Sequence, residues 1–191
     1  NNRNTGYNYY IKMADGIGNP VFQHELPYSQ IKYPDAGVRL LTLFRYWNMI
    51  QYFYPYKHLI GADWNAVLYE FIPQFIGDRN ESEYDMTAMK LIASIHDTHA
   101  NIWGPPLKGV TAYRGDFAPP FLAKFIENKL VVAAFYSDTS KIKTLLKIGD
   151  VITFINGISV DSLIKKYLPV TPASNYERQL RDMPGNYLLR G

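Results

Sequence analysis

The hydrophobic period of this 191-residue sequence changes at Gly104-Pro105-Pro106, and this change limits the folds open to the chain. Before this point, apolar residues recur at helical spacing. Beyond it, short apolar runs are separated by turn residues, a pattern typical of strands. Helices and strands that are segregated along a sequence favour an α+β fold over an alternating α/β fold. The sequence therefore predicts an α+β protein in which a small N-terminal helical bundle precedes a β-rich unit.

Three amphipathic helices are predicted within residues 35–104. Their expected N-terminal caps are Asp35, Asp63 and Ser82, the last acting with Asp85 as a capping box. Pro55 is expected to end the first helix, and Pro73 to kink the second or end it early. Short connections between the helices predict an antiparallel bundle. Residues 1–34, which are rich in Asn, Tyr, Gly and Pro, are expected to form an arm or the end of an upstream domain.

The β-rich unit, residues 105–170, alternates short strands with strong turn signals. The predicted elements are strands at 121–126, 130–136, 150–155 and 158–160, a helix at 137–147, and a last helix that Asp161 caps and that runs through Leu168. Asn156-Gly157 predicts a tight hairpin, because these residue types accept the positive φ angles of such a turn. Residues 171–191 are polar and mixed, and they are predicted to be a linker.

Composition excludes several classes of function. The net charge is only +3 and both signs are scattered, so no nucleic-acid partner is predicted. No uncharged apolar window reaches about 18 residues, so no membrane span is predicted. The absence of cysteine excludes disulfides and cysteine-based zinc sites, and no motif indicates a cofactor. Because the sequence starts with Asn and stops without an obvious structural ending, we expect a fragment or processed form of a longer protein.

Titratable and hydroxyl side chains crowd together at His96-Asp97-Thr98-His99, where the third predicted helix stops. An imidazole beside a carboxylate and a hydroxyl suits acid–base chemistry, because a general base must be held by its neighbours. His99 is the candidate base. His96 shares the apolar helix face and is predicted to be a core histidine, and Asp97 to be a hydrogen-bonding residue at the helix end. The spacing suggests no third ligand, so no metal site is predicted.

Residues 117–168 resemble a bacterial PDZ domain, which implies a small β-barrel or sandwich with two short helices. The motifs that carry the resemblance are Leu146-Lys147-Ile148-Gly149-Asp150-Val151-Ile152 and Ile155-Asn156-Gly157-Ile158-Ser159-Val160. In such domains a peptide adds as a strand to a sheet edge, and loop amides hold its terminal carboxylate. The resemblance implies that Phe121, Leu122, Ala123 and Lys124 bind an unfolded or C-terminal peptide. The corresponding loop, residues 116–121, departs from the pattern because Pro119 and Pro120 have no backbone N–H.

A helical segment that ends in Asp97-Thr98-His99 and precedes a PDZ-like module resembles the front half of the tail-specific (C-terminal-processing) and tricorn-like serine peptidases. In the tricorn-like branch this histidine is the general base for a serine in a later domain. The resemblance implies this role for His99, with Thr98 as its active-site neighbour. It also implies a partner, the downstream catalytic domain of the same polypeptide, and a place in the bacterial cell envelope or periplasm. The 191 residues alone are then expected to be inactive.

Three alternatives remain open at this level. A Ser-Lys branch of the same family keeps both catalytic residues in the later domain, and there His99 would be structural. A second possibility is a stand-alone peptide-binding scaffold, whose PDZ-like groove is its only active part. The third is a lid or spacer that binds no free ligand, which the prolines at 119 and 120 favour.

Overall fold

The computed structural model describes residues 6–102, 107–136 and 145–191. The fold is α+β, as predicted, with helices and small antiparallel sheets. The α-helices are α1 Ala36–Phe53, α2 Trp64–Gly77, α3 Glu81–Ala93, α4 Lys108–Arg114, α5 Val160–Tyr167 and α6 Tyr176–Met183. The strands are β1 Ile11–Met13, β2 Pro20–Phe22, β3 Phe121–Ile126, β4 Lys129–Phe135, β5 Val151–Ile152, β6 Phe154–Ile155 and β7 Ile158–Ser159.

Two of the predicted helix caps are confirmed and two are wrong. The Asp35 carboxylate accepts from the Val38 N–H at the start of α1, and Asp63 caps α2 in the same manner. Helix α3 instead begins two residues earlier than the proposed capping box, because Asn80 accepts the N–H of Glu83. Likewise Ser159, rather than Asp161, caps α5.

Helix α2 continues four residues beyond Pro73, so the prediction of an early end is wrong. The Arg39 side chain, which is only 5% exposed, donates to the carbonyls of Phe75 and Ile76 at 2.7 and 2.9 Å. These carbonyls belong to the last turn of α2, where a helix has no partners of its own for them. The buried guanidinium from α1 therefore stabilises the turn that follows Pro73 and offsets the hydrogen bond that proline removes.

Helix α3 contributes to two separate hydrophobic cores. Its Leu91, with Ile95 just beyond it, belongs to the core that α1 and α2 complete. Its Met89 belongs to a second core, which also contains Ala123, Leu130, Leu163 and Leu180. The helical and β-rich parts therefore share one helix rather than being joined by a free linker.

The β-rich part contains a three-stranded antiparallel sheet in the order β3-β4-β5, with β3 at one edge. A separate β6–β7 hairpin turns at Asn156-Gly157, where both φ angles are positive, as predicted. The strand predicted at 150–155 is thus split between two sheets. Most of the helix predicted at 137–147 lies outside the described residues. The described residues form no closed barrel, so the PDZ-like assignment stays a prediction.

Residues 171–191, predicted as a linker, instead carry α6 and a π-helical turn, Pro184–Leu188. Their Leu180, Met183 and Leu188 are at most 5% exposed and belong to the second core. The segment is therefore part of the folded unit.

The β1–β2 hairpin of the predicted N-terminal arm packs on α1, where the Phe22 and Phe53 rings lie 5.7 Å apart. Across the described parts of the chain, no helix combines the length and apolar character needed to cross a membrane.

Gly109 in α4 is expected to tolerate no side chain. A Cβ at this position would lie 2.6 Å from the Cα and carbonyl oxygen of Ser82 in α3. Gly109→Ala should lower the free energy of unfolding by about 1–3 kcal/mol, the usual cost of overpacking. Gly77→Ala, also in a helix but with open space around its Cβ, is the matched control and should be neutral or stabilising. Urea denaturation measures both, and equal stability of the two variants would contradict the tight α3–α4 contact.

Candidate functional site

The chain leaves α3 through a turn that exposes its two histidines. His96 adopts a left-handed backbone conformation, with φ of 54°, and its Nδ1 lies 2.9 Å from the carbonyl oxygen of Ile60. His96 is exposed, so its prediction as a buried core histidine is wrong. The reversal of the backbone at this residue takes the chain off the helix axis before it reaches Asp97.

The His99 imidazole lies at the surface, with 96% of its side chain exposed. Its Nδ1 is 3.2 Å from Asp97 Oδ1, and the same oxygen accepts the backbone N–H of His99 at 2.8 Å. A carboxylate that accepts the N–H two residues later forms an Asx turn, which is a local arrangement. The imidazole is therefore connected to the backbone of its own turn through Asp97, while Nε2 has no hydrogen-bond partner among the described residues.

Asp97 is anchored from a distant part of the chain. The Tyr54 hydroxyl, at the C-terminal cap of α1, donates to Asp97 Oδ2 at 3.0 Å. Burial raises the pKa of the Asp97 carboxyl, but hydrogen bonds from the His99 N–H and the Tyr54 hydroxyl outweigh it, and the pKa ends below its ordinary value. Burial and the Asp97 bond raise the pKa of Tyr54 to about 12. At neutral pH, Asp97 is therefore an anion and Tyr54 a hydrogen-bond donor.

The predicted pair His99 and Thr98 are adjacent, but the structure gives them different surroundings. The Thr98 side chain is half-buried, and its hydroxyl makes no hydrogen bond within the described residues. Asp97, predicted to be a hydrogen-bonding residue at the helix end, contacts both the backbone and the ring of His99. Sequence reasoning missed Tyr54, because its partner lies 43 positions away and no local pattern links them.

The four predicted peptide-binding residues lie on the edge strand β3. Ala123 is 2% exposed and packs into the core, whereas Lys124 is exposed. A cleft of about 520 Å³ runs between β3 and the α6–π-helix segment. The residues lining it include Leu122, Lys124, Leu180, Arg181 and Asn186. This arrangement brings three of the four residues, Leu122, Ala123 and Lys124, to one cleft.

The loop that precedes β3 is hydrogen-bonded to Gly191. The Phe117 N–H donates to the Gly191 carbonyl at 2.8 Å, and the Gly191 N–H donates to the Phe117 carbonyl at 3.1 Å. A Cβ at Gly115 would lie 2.6 Å from the Gly191 nitrogen, so the two segments are in close contact. With Pro119 and Pro120 lacking an N–H, few amides of this loop remain for a ligand carboxylate.

Among the described residues, no group of three or more His, Cys, Asp or Glu could hold a metal ion. A scan against models of known protein families found no match, and a search of curated proteins found none either. The family resemblance described above therefore remains a prediction that rests on the sequence motifs.

The Asp97 carboxylate is expected to contribute to stability at neutral pH and to lose that contribution in acid. Its pKa is lowered on folding, so its stabilising effect is full above the unfolded value of about 3.9 and is lost as the pH falls through the folded pKa. The difference in unfolding free energy between the wild type and Asp97→Asn should therefore be largest near pH 7 and shrink towards pH 3. Urea denaturation across this range measures it.

The control for this measurement is Asp15→Asn, which changes an exposed carboxylate in the β1–β2 turn. It should alter the unfolding free energy by no more than about 0.5 kcal/mol. A gap between wild type and Asp97→Asn that is constant with pH would contradict an ionised, hydrogen-bonded Asp97.

Proposed function

We propose that this chain is the front portion of a serine endopeptidase of the tail-specific or tricorn-like family, with His99 as the general base. The observation that carries the proposal is the exposed His99 ring, which has Nδ1 directed at a carboxylate and Nε2 without a partner in the described parts of the chain. A general base needs an accessible nitrogen and a neighbour that orients it. A histidine that only packs or caps a helix has no need of either feature.

In the proposed mechanism, a further domain of the same polypeptide brings a serine hydroxyl to Nε2 of His99. Nε2 takes the hydroxyl proton as the serine oxygen attacks the peptide carbonyl. The resulting imidazolium is stabilised by the Asp97 carboxylate at Nδ1, and it returns the proton to the leaving amine. Thr98, the neighbour of His99 in the chain, would contact the incoming domain. On this proposal the protein belongs to the bacterial cell envelope.

The β-rich part would deliver the substrate. We take the β3–β4–β5 sheet, the β6–β7 hairpin and α5 as a PDZ-like module, in which β3 is the edge strand beside the cleft. An extended peptide that lies in the β3–α6 cleft would pair with the β3 backbone and place alternate side chains against Leu122 and Leu180. The loop before β3, which would hold a peptide carboxylate, is already hydrogen-bonded to Gly191. The cleft therefore favours internal segments of unfolded chains over free C-termini.

A second function has support from the same cleft. A peptide-binding scaffold without catalysis would use the β3 edge and leave His99 without a chemical role. This alternative and the Ser-Lys branch both predict that His99 can be replaced without loss of function, so a single substitution separates them from the proposal.

Replacing His99 should abolish peptide cleavage in the polypeptide that also carries the serine domain. His99→Ala removes the proton acceptor, and general-base catalysis contributes about 10²–10⁴-fold. Cleavage of an unfolded protein and labelling by a fluorophosphonate probe are the measurements, with His58→Ala as the matched control. The 191 residues alone should neither cleave nor be labelled.

Near-normal cleavage by a folded His99→Ala variant would assign His99 a structural role and favour the Ser-Lys branch. Turnover by the 191 residues alone, after contaminating proteases are removed, would refute the placement of the nucleophile in another domain.

Peptide binding in the cleft should not depend on a terminal carboxylate. Peptides with free and amidated C-termini should bind with equal affinity, measured by calorimetry. Leu122→Asp should weaken binding by about tenfold or more, because burial of a leucine side chain contributes about 1.5–3 kcal/mol. Val151→Asp, on the opposite edge strand β5, is the control and should not change affinity. A strict requirement for the free carboxylate would contradict this mode of binding.

A further inference from the structure

Both oxygens of the Asp97 carboxylate are used in directing His99. Oδ1 accepts two bonds from His99, one from the backbone N–H at 2.8 Å and one from the ring at 3.2 Å. Oδ2 accepts the Tyr54 hydroxyl at 3.0 Å. An Asx turn fixes only one carboxylate oxygen, so the side chain could still rotate about it. The bond from Tyr54 removes this freedom and sets the plane of the carboxylate.

Tyr54 is well placed to act as an anchor. Its backbone N–H closes the last turn of α1 on the Ile50 carbonyl, and Ile50 is buried in the bundle core. The Tyr54 ring lies against the Tyr56 ring, with centroids 6.1 Å apart. The hydroxyl that holds Asp97 is thus fixed to the bundle core, whereas the imidazole it indirectly orients is almost fully exposed.

We propose that Tyr54 and Asp97 are positioning residues that hold neutral His99 as its Nδ1–H tautomer, with Nε2 as the accepting nitrogen. The two ring nitrogens of a histidine are distinct, and the hydrogen bond made by one decides which is available for chemistry. Asp97 is an anion and therefore only accepts hydrogen bonds, so the Nδ1 that faces it carries the proton.

Charge and hydrogen bonding in the cluster support this arrangement. The pKa of Tyr54 is raised to about 12, so the hydroxyl remains a donor at neutral pH. The pKa of Asp97 is lowered by its hydrogen bonds, despite its burial, so the acceptor remains ionised. Thr98, which the family resemblance makes the active-site neighbour, makes no hydrogen bond among the described residues and cannot fix the tautomer from where it lies.

The tautomer can be measured in the 191-residue chain, without the proposed serine domain. Long-range ¹H–¹⁵N spectra of ¹⁵N-histidine-labelled protein, recorded above pH 8, distinguish the two neutral tautomers. A His99→Gln variant assigns the signal among the four histidines. We expect His99 to be mainly Nδ1–H in the wild type, and this preference to fall in Asp97→Ala and Tyr54→Phe.

Tyr56→Phe is the matched control, because it removes a hydroxyl from the ring next to Tyr54 that makes no contact with Asp97. It should leave the His99 spectrum unchanged. Asp97→Asn keeps the side-chain shape if Asp97→Ala destabilises the turn, and it should weaken the Nδ1–H preference by removing the charge. A wild-type His99 that is mainly Nε2–H, or a preference that survives both Asp97 variants, would overturn the inference.

The effect of Tyr54 and Asp97 on catalysis rests on the proposed function, and a separate experiment tests it. In the polypeptide with the serine domain, Tyr54→Phe should lower kcat by up to about 10²-fold, with KM unchanged, because small misplacements of a catalytic group cost this much. If the tautomer behaves as expected but His99→Ala retains cleavage, the proposed function fails and the positioning stands. If His99→Ala abolishes cleavage while Tyr54→Phe changes neither kcat nor the tautomer, the positioning fails alone.

Discussion

The structure depends on α3 being packed from both sides. Leu91 lies in the core of the helical bundle and Met89 in the core beneath the sheet, only two residues away along the same helix. Neighbouring positions on a helix point in different directions, so one helix can serve two cores only if its polar residues are also satisfied when buried. Asp85 and Thr87 meet this condition, through the Gly109 N–H and the Asp78 carboxylate respectively.

Buried polar groups of this kind stabilise the fold through their hydrogen-bond partners, although Asp78 Oδ2 is buried with none among the described residues. Arg39 donates to three carbonyls, and Asp85 accepts one free N–H in the first turn of α4, that of Gly109. Burial raises the pKa of Asp85 and also of Asp78, which is the opposite of the shift at Asp97. Burial of the ionised Asp78 and Asp85 carboxylates, which contact neighbouring helices, therefore costs free energy of folding. The Asp97 carboxylate beside His99 is instead stabilised as an anion by its hydrogen-bond donors.

Several features set by neighbouring residues were predictable from the sequence, although the local Ser159 cap of α5 was missed. Features set by distant contacts were not predictable. The Asp35 and Asp63 caps and the Asn156-Gly157 turn depend on residues within three positions, and each was correct. Asn80 and Ser82 are both good capping types, so the choice between them depended on Ser82 packing against α4. The His99 candidate followed from its neighbours, but the contact between Tyr54 and Asp97 joins segments that only the tertiary fold brings together.

The shared helix α3 gives the molecule a direct mechanical connection between its two candidate sites. Ala123, beneath the sheet edge at which a peptide would add, lies in the same core as Met89 of α3. The C-terminal end of α3 leads within six residues to His99, and close-packed cores transmit displacement rather than absorb it. A displacement of the β3 edge would therefore reach α3 through this core, and the turn at residues 94–99 connects the end of α3 to the imidazole.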